Sequence, residues 1–161
     1  MIRHRFPKAA LAAAVALGAG AHAPAFQDAP AETGSQGSYL VVVHPDVQGA
    51  AISLATLEAL FLKESDRWGD GTPVVPVDQS LQSAVRERFS REVLGKSPRE
   101  ALSYWRMQIS AGVRPPPVKE TDAEVLRFVA ETEGAIGYVS VSADAGSAGV
   151  KVLAVTGESA P

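Results

Sequence analysis

The sequence contains no cysteine. Disulfide bridges, zinc–thiolate centres, a cysteine nucleophile and a cysteine-linked lipid anchor are all excluded. Histidine is nearly as scarce. Three are present, and His4 and His22 fall within the first 25 residues. With His44 alone in the rest of the chain, a transition-metal site lacks its usual donors. No Gly-x-Ser-x-Gly elbow occurs, so a triad drawn from Ser83, His44 and Asp78 has no supporting motif. Outside the N-terminal stretch, no apolar run approaches the roughly 20 residues that cross a bilayer. What is present is 161 residues of which 46% are hydrophobic, enough to build the core of one domain.

The N-terminal stretch reads as a targeting signal. Arg3, Arg5 and Lys8 form a basic region, Ala9 to Ala21 form an alanine-rich apolar run, and small residues follow at Ala21, Ala23 and Ala25. This pattern predicts a secretory signal peptide over residues 1–25, cut after Ala25. A cut after Ala23 would leave Pro24 next to the scissile bond. Removal of residues 1–25 takes three of the 15 basic residues and none of the 18 acidic ones, which leaves a formal charge of −6. An acidic exported domain is poorly suited to nucleic acid or to an anionic membrane surface. The expected location is the periplasm.

Residues 26–38 are rich in Ala, Gly, Pro, Ser and acidic residues and read as a disordered linker. The ordered domain is expected over residues 39–156. Tyr39 to Val43 is a short, continuously apolar strand suited to burial on both faces. Ser53 caps a helix whose stripe is Leu54, Leu57, Leu60 and Phe61. Gly69 and Asp70-Gly71 mark a loop. The segment 72–94 then reads as a strand (Val74 to Val77), a polar turn (Asp78-Gln79-Ser80) and a helix from Leu81 to Leu94, with Leu81, Val85, Phe89 and Val93 facing inward. Such a strand–turn–helix aims free backbone N–H groups at one point, a geometry that suits an anion.

Two capping boxes follow, Ser97 with Glu100 and Thr121 with Glu124, each opening a helix. The first of these helices carries Leu102, Trp105, Met107 and Ile109. The second has Val125, Leu126, Phe128 and Val129 as its buried face. Between them Arg114 and three prolines must be extended, either as a stiff connector or as a recognition strip. Ala135 to Val139 and Val150 to Val155 are the last two strands. The order β-α-β-α-α-α-β-β argues for an α/β domain with a mixed, mostly parallel sheet.

Several side chains are candidates for chemistry. Ser80 and Ser83 can donate hydroxyls to an anion, and one of them is also expected to be the N-cap. Asp78 stands at the C-terminal end of a strand, where ligands bind in α/β sheets, or forms an Asx turn. Arg86, Arg88 and Arg91 are interleaved with Glu87 and Glu92, which predicts a solvated, salt-bridged helix face.

The order and spacing of several segments resemble the phosphate-type substrate-binding proteins of ABC transporters, members of the type 2 periplasmic binding protein superfamily. The segments are Val41 to Pro45, Ser53 and Leu54 leading into Leu57 to Leu62, Trp68 with Asp70-Gly71, Val74 to Asp78, Phe89, and Glu133 to Val139. The resemblance implies a single three-layer α/β lobe of a clamshell, without room for a second lobe. It also places a pattern like Arg-x-x-Gly-Ser-Gly-Thr on residues 79 to 85. In this chain those positions hold Gln79, Gln82, Ser83, Ala84 and Val85, so only the serine matches. A neutral amide replaces the charged fork of a guanidinium.

The reading that follows is an exported substrate-binding-like protein. It would hold phosphate or a related small oxyanion at Asp78, Gln79, Ser80 and Ser83 for ABC-type uptake. The alternative is an interaction or sensor-accessory protein that keeps the lobe without tight ligand binding. Neither is an enzyme, and neither calls for a cofactor or a metal. The expected partners are the oxyanion, a membrane transporter or other envelope protein, and a second copy of the chain.

Overall fold

A computed structural model describes residues 39–157. The expected signal peptide, the linker at 26–38 and the last four residues of the chain lie outside the described residues. Three uninterrupted valines explain the centre of the sheet. Strand β1 (Tyr39–Val43) has Val41, Val42 and Val43 fully buried, as its pattern predicts. Alternation sends Val41 and Val43 into one apolar cluster and Val42 into another, so the sheet has a packed layer on each face.

The order of the five-stranded sheet is β2-β7-β1-β6-β3, with β2 at Ala51–Ser53, β3 at Val75–Pro76, β6 at Ala135–Ser140 and β7 at Lys151–Thr156. β1 runs antiparallel to β6 and β7, with Val43 opposite Ile136 and Lys151, whereas β2–β7 and β3–β6 are parallel. Helix α1 (Leu54–Phe61) and helix α2 (Ala84–Glu92) contribute Leu57, Leu60, Phe61 and Phe89 to the first cluster. Phe89 stacks on Tyr138 of β6 with ring centroids 3.8 Å apart. Helix α4 (Asp122–Glu131) covers the opposite face with Val125, Leu126 and Val129. This is the three-layer α/β lobe that the sequence predicts, with a mixed sheet that is not mostly parallel, because the central β1 is antiparallel to both neighbours.

The caps form as expected. Ser53 accepts from the Thr56 N–H, and both capping boxes are complete. Helix α3 (Pro98–Ser110) buries few of its apolar side chains. Ala101 and Trp105 are buried, while Leu102, Met107 and Ile109 are exposed. Gly134 is a position where a side chain would be strained. Its φ is +72°, and a Cβ there would lie 2.1 Å from the Pro73 carbonyl oxygen. The Gly134 carbonyl in turn accepts from the Trp68 indole at 2.9 Å.

The segment that the sequence reads as turn and helix is arranged differently. Pro76 occupies an edge strand, where its missing N–H costs nothing. The chain then changes partner. The Val77 N–H bonds to Ile136 of the main sheet, but the Asp78 N–H bonds to the Pro117 carbonyl and the Ser80 N–H to Lys119. Asp78–Gln79 is thus a strand, β4, paired in parallel with β5 (Val118–Lys119), not a turn. The extended Arg114-to-Pro117 segment delivers that partner strand. The turn falls at residues 80 to 83, closed by Ser83 N–H to Ser80 carbonyl at 2.9 Å. α2 therefore begins at Ala84, with Ser83 as N-cap, and Leu81 lies before it, 47% exposed rather than in the core.

Candidate functional site

The site is built where β4, the C-terminal end of β6 and the first turns of α2 and α4 meet. Each element delivers a polar side chain for a local reason. β4 carries Asp78 and Gln79, β6 carries Tyr138 and Ser140, α2 contributes its cap Ser83 and its third residue Arg86, and α4 contributes its first residue Asp122.

Two linked clusters result. In the first, Asp78 pairs with Arg86 at 2.8 Å, accepts a hydrogen bond from the Tyr138 hydroxyl, and accepts the Gln79 N–H at 2.8 Å. The same guanidinium also donates to the Gln79 carbonyl, yet its Nε is buried without a partner among the described residues. Arg86 is only 4% exposed. The solvated face predicted for the three arginines is therefore corrected. Arg91 does pair with Glu87 on the surface at 3.0 Å, but Arg86 turns inward because a buried carboxylate is waiting for it. Burial raises the Asp78 carboxyl above its ordinary range, partly offset by Arg86, Tyr138 and the Gln79 N–H. Burial, and then the Asp78 charge, push the Tyr138 hydroxyl up as well, which keeps it a neutral donor.

In the second cluster, the Gln79 amide bridges two helix starts. Its Nε2 donates to Asp122 Oδ1 and to the Tyr138 carbonyl, both at 2.8 Å, and its Oε1 accepts from the Ser83 hydroxyl at 2.6 Å. Asp122 also accepts the Ser140 N–H at 3.2 Å and the Ser140 hydroxyl. Gln79 is 2% exposed, and every hydrogen-bonding group of its side chain is engaged. Ser80 is buried and donates to Gln82. The structure thus brings Asp78, Gln79 and Ser83 into one network and leaves Ser80 in the adjoining turn.

Asp122, Tyr138 and Ser140 belong to the same network and were not among the sequence candidates, and Arg86, read there as part of a solvated face, joins them. A signal for Arg86 exists. It stands three residues before Phe89 and seven before Val93, both buried, and so shares their helix stripe. His44 contacts Asp46 rather than Ser83 or Asp78, so the three members of the drawn triad do not assemble. Among the described residues no group of His, Asp and Glu has the spacing to hold a metal ion, and no helix is long and apolar enough to cross a membrane.

The chemistry of this arrangement is that of a closed polar junction. Donors that could serve an external oxyanion, the Gln79 amide and the Ser140 hydroxyl and N–H, converge on the protein's own Asp122 carboxylate. The guanidinium is spent on Asp78.

No family model and no curated protein matches the sequence. Solved structures do match the fold. PstS from Borrelia burgdorferi superposes with a TM-score of 0.59 at 15% identity over 77% of this chain and 49% of that one. An ABC-type phosphate transport receptor from Vibrio cholerae superposes with a TM-score of 0.56 at 15% identity, over 73% of this chain and 46% of that one. The chain spans about half the length of these structures. At this identity the likeness establishes the fold: an α/β lobe of the kind found in phosphate-binding proteins.

Proposed function

We propose that this chain is an exported, non-enzymatic protein of the substrate-binding type that works by docking to an envelope partner or to a second copy of itself, without carrying a tightly held ligand. The observation behind this reading is the Gln79–Asp122 bond. The position at which the resemblance expects a guanidinium for the ligand holds an amide, and that amide is already bound to an internal carboxylate. An incoming phosphate would have to displace the like-charged Asp122 carboxylate from the Gln79 amide. Signal-peptide cleavage after Ala25 and a periplasmic location are part of the proposal and rest on the N-terminal pattern.

A second reading keeps ligand binding at Asp78, Gln79, Ser80 and Ser83. It is favoured by the position of Ser83, which caps α2 after the short turn that follows β4 and so sets first-turn N–H groups beside the site. There the ligand is phosphate or another small oxyanion. Titration calorimetry of the purified chain with phosphate, sulfate and molybdate separates the two. The docking reading expects no saturable heat at millimolar ligand, together with a defined complex or dimer by light scattering in the presence of envelope extract. Micromolar, saturable phosphate binding would replace it with the second reading.

A further inference from the structure

A groove lies between α4 and the loop 141–149, and Asp122 borders both it and the junction. The volume of the groove is about 540 Å³, and it is open to solvent. Its existence follows from small side chains on both walls. Ala123, Leu126 and Ala130 share one stripe of α4, and Ala143 and Ala148 stand across from them on the loop. Alanine on both sides leaves volume that larger residues would fill. The floor is apolar, since Leu126 is buried and Ala143 and Ala148 pack against the second core cluster. The loop is a fixed wall. The Ala143 N–H bonds to the Ser140 carbonyl, Ala145 is buried and its N–H bonds back to Ala143, and Asp144 holds the Ser147 N–H and hydroxyl.

Charge sets the character of the rim. Asp122, Glu131 and Asp144 border the hollow against Arg127 alone. An apolar floor beneath a net-negative rim complements a molecule with an apolar body and a positive head. The volume falls within the range of small-molecule sites, roughly 300–1,000 Å³. We propose that this groove binds a small organic cation, its hydrocarbon portion against Leu126 and the alanines and its protonated amine toward Glu131 and Asp144. The proposal does not rest on the docking reading or on the oxyanion reading, although Asp122 borders both the groove and the junction.

The test uses two probes of matched body and opposite charge, 2-phenylethylamine and 3-phenylpropionate, titrated into the isotope-labelled full chain and followed by amide NMR shifts. The amine is expected to saturate with shifts confined to residues 122–131 and 141–149, and the acid to bind at least about tenfold more weakly. Ala130→Leu should abolish amine binding by filling the groove. The paired variant Glu131→Gln with Asp144→Asn, which changes no volume, should bring amine and acid affinities together. Equal binding of both probes by the unmodified chain, shifts centred elsewhere, or unchanged amine affinity in both variants would overturn the assignment.

Discussion

Gln79 and Asp122 stand 43 residues apart in the chain and are joined by a 2.8 Å hydrogen bond that ties β4 to the start of α4. One buried amide therefore connects a strand and two helix N-termini, because its oxygen also holds the Ser83 cap. Gln79→Met keeps the length of the side chain and removes all of these bonds. It leaves a half-buried carboxylate and a hydroxyl short of partners. The expected loss is about 1–3 kcal/mol in urea unfolding. A neutral result would show that the bridge contributes nothing net.

The buried pair of Asp78 and Arg86 makes a prediction with a definite pH sign. Arg86→Met strands the carboxylate and should cost about 3–5 kcal/mol near pH 7. Asp78 already has its pKa raised by burial, and loss of Arg86 removes the largest opposing influence. A folded-state pKa above the unfolded value means that the penalty is full above the folded pKa and shrinks as pH falls through it toward the ordinary value of 3.8. The deficit of the variant relative to the parent should therefore be smaller near pH 5 than near pH 7. Denaturant midpoints at the two pH values check this, and a deficit that grows on acidification would refute it.

Removing both charges should do less harm than removing one. Asp78→Leu combined with Arg86→Met leaves no stranded ion and eliminates the unpartnered Nε. The double variant should lie within about 2 kcal/mol of the parent, well above Arg86→Met alone. A double variant as unstable as the single one would mean that the loss is one of packing.

Two N-cap serines allow a controlled comparison. Ser97→Ala removes an exposed cap with its capping box and should cost about 1 kcal/mol. Ser83→Ala removes a cap and also the donor to the buried Gln79 oxygen. Its cost should exceed that of Ser97→Ala by about 1 kcal/mol. Equal costs in thermal unfolding would remove Gln79 Oε1 from the account.

Gly134→Ala places a methyl group against the Pro73 carbonyl at a backbone angle that other residues rarely adopt. Strain alone costs about 1–3 kcal/mol. Relief by a shift of residues 73 and 134 would also pull the Gly134 carbonyl from Trp68. A lowered unfolding midpoint with a changed tryptophan emission is expected.

Local signals carried much of this fold. The valines of β1, the two capping boxes and the stripe of α4 are each decided by neighbours a few residues away, and these were legible. β2, β4 and β5 were not, since strands of two or three residues are too short for a period to register. Their existence depends on which chain passes alongside, as β4 depends on the segment that follows the prolines. Asp78, Gln79 and Ser83 could be nominated from sequence. Their true partners could not, because Tyr138 and Asp122 lie 60 and 43 residues further on. Arg86 was misread for a related reason. Charges alternate around it, and only the position of Asp78 in space distinguishes an inward arginine from an exposed one.

The pairing of β1 also bears on how the chain reaches this state. The strand's neighbours on both sides, β6 and β7, come from residues 135–140 and 151–156. While the chain is emerging from a ribosome, β1 has no neighbour in the sheet until about a hundred residues have followed it. The loop to be closed is long, and its entropic cost falls due before any contact repays it. The pairing at the centre of the sheet is therefore non-local and late. During synthesis Val41 to Val43 stay without their sheet neighbours until residues 135–140 and 151–156 follow.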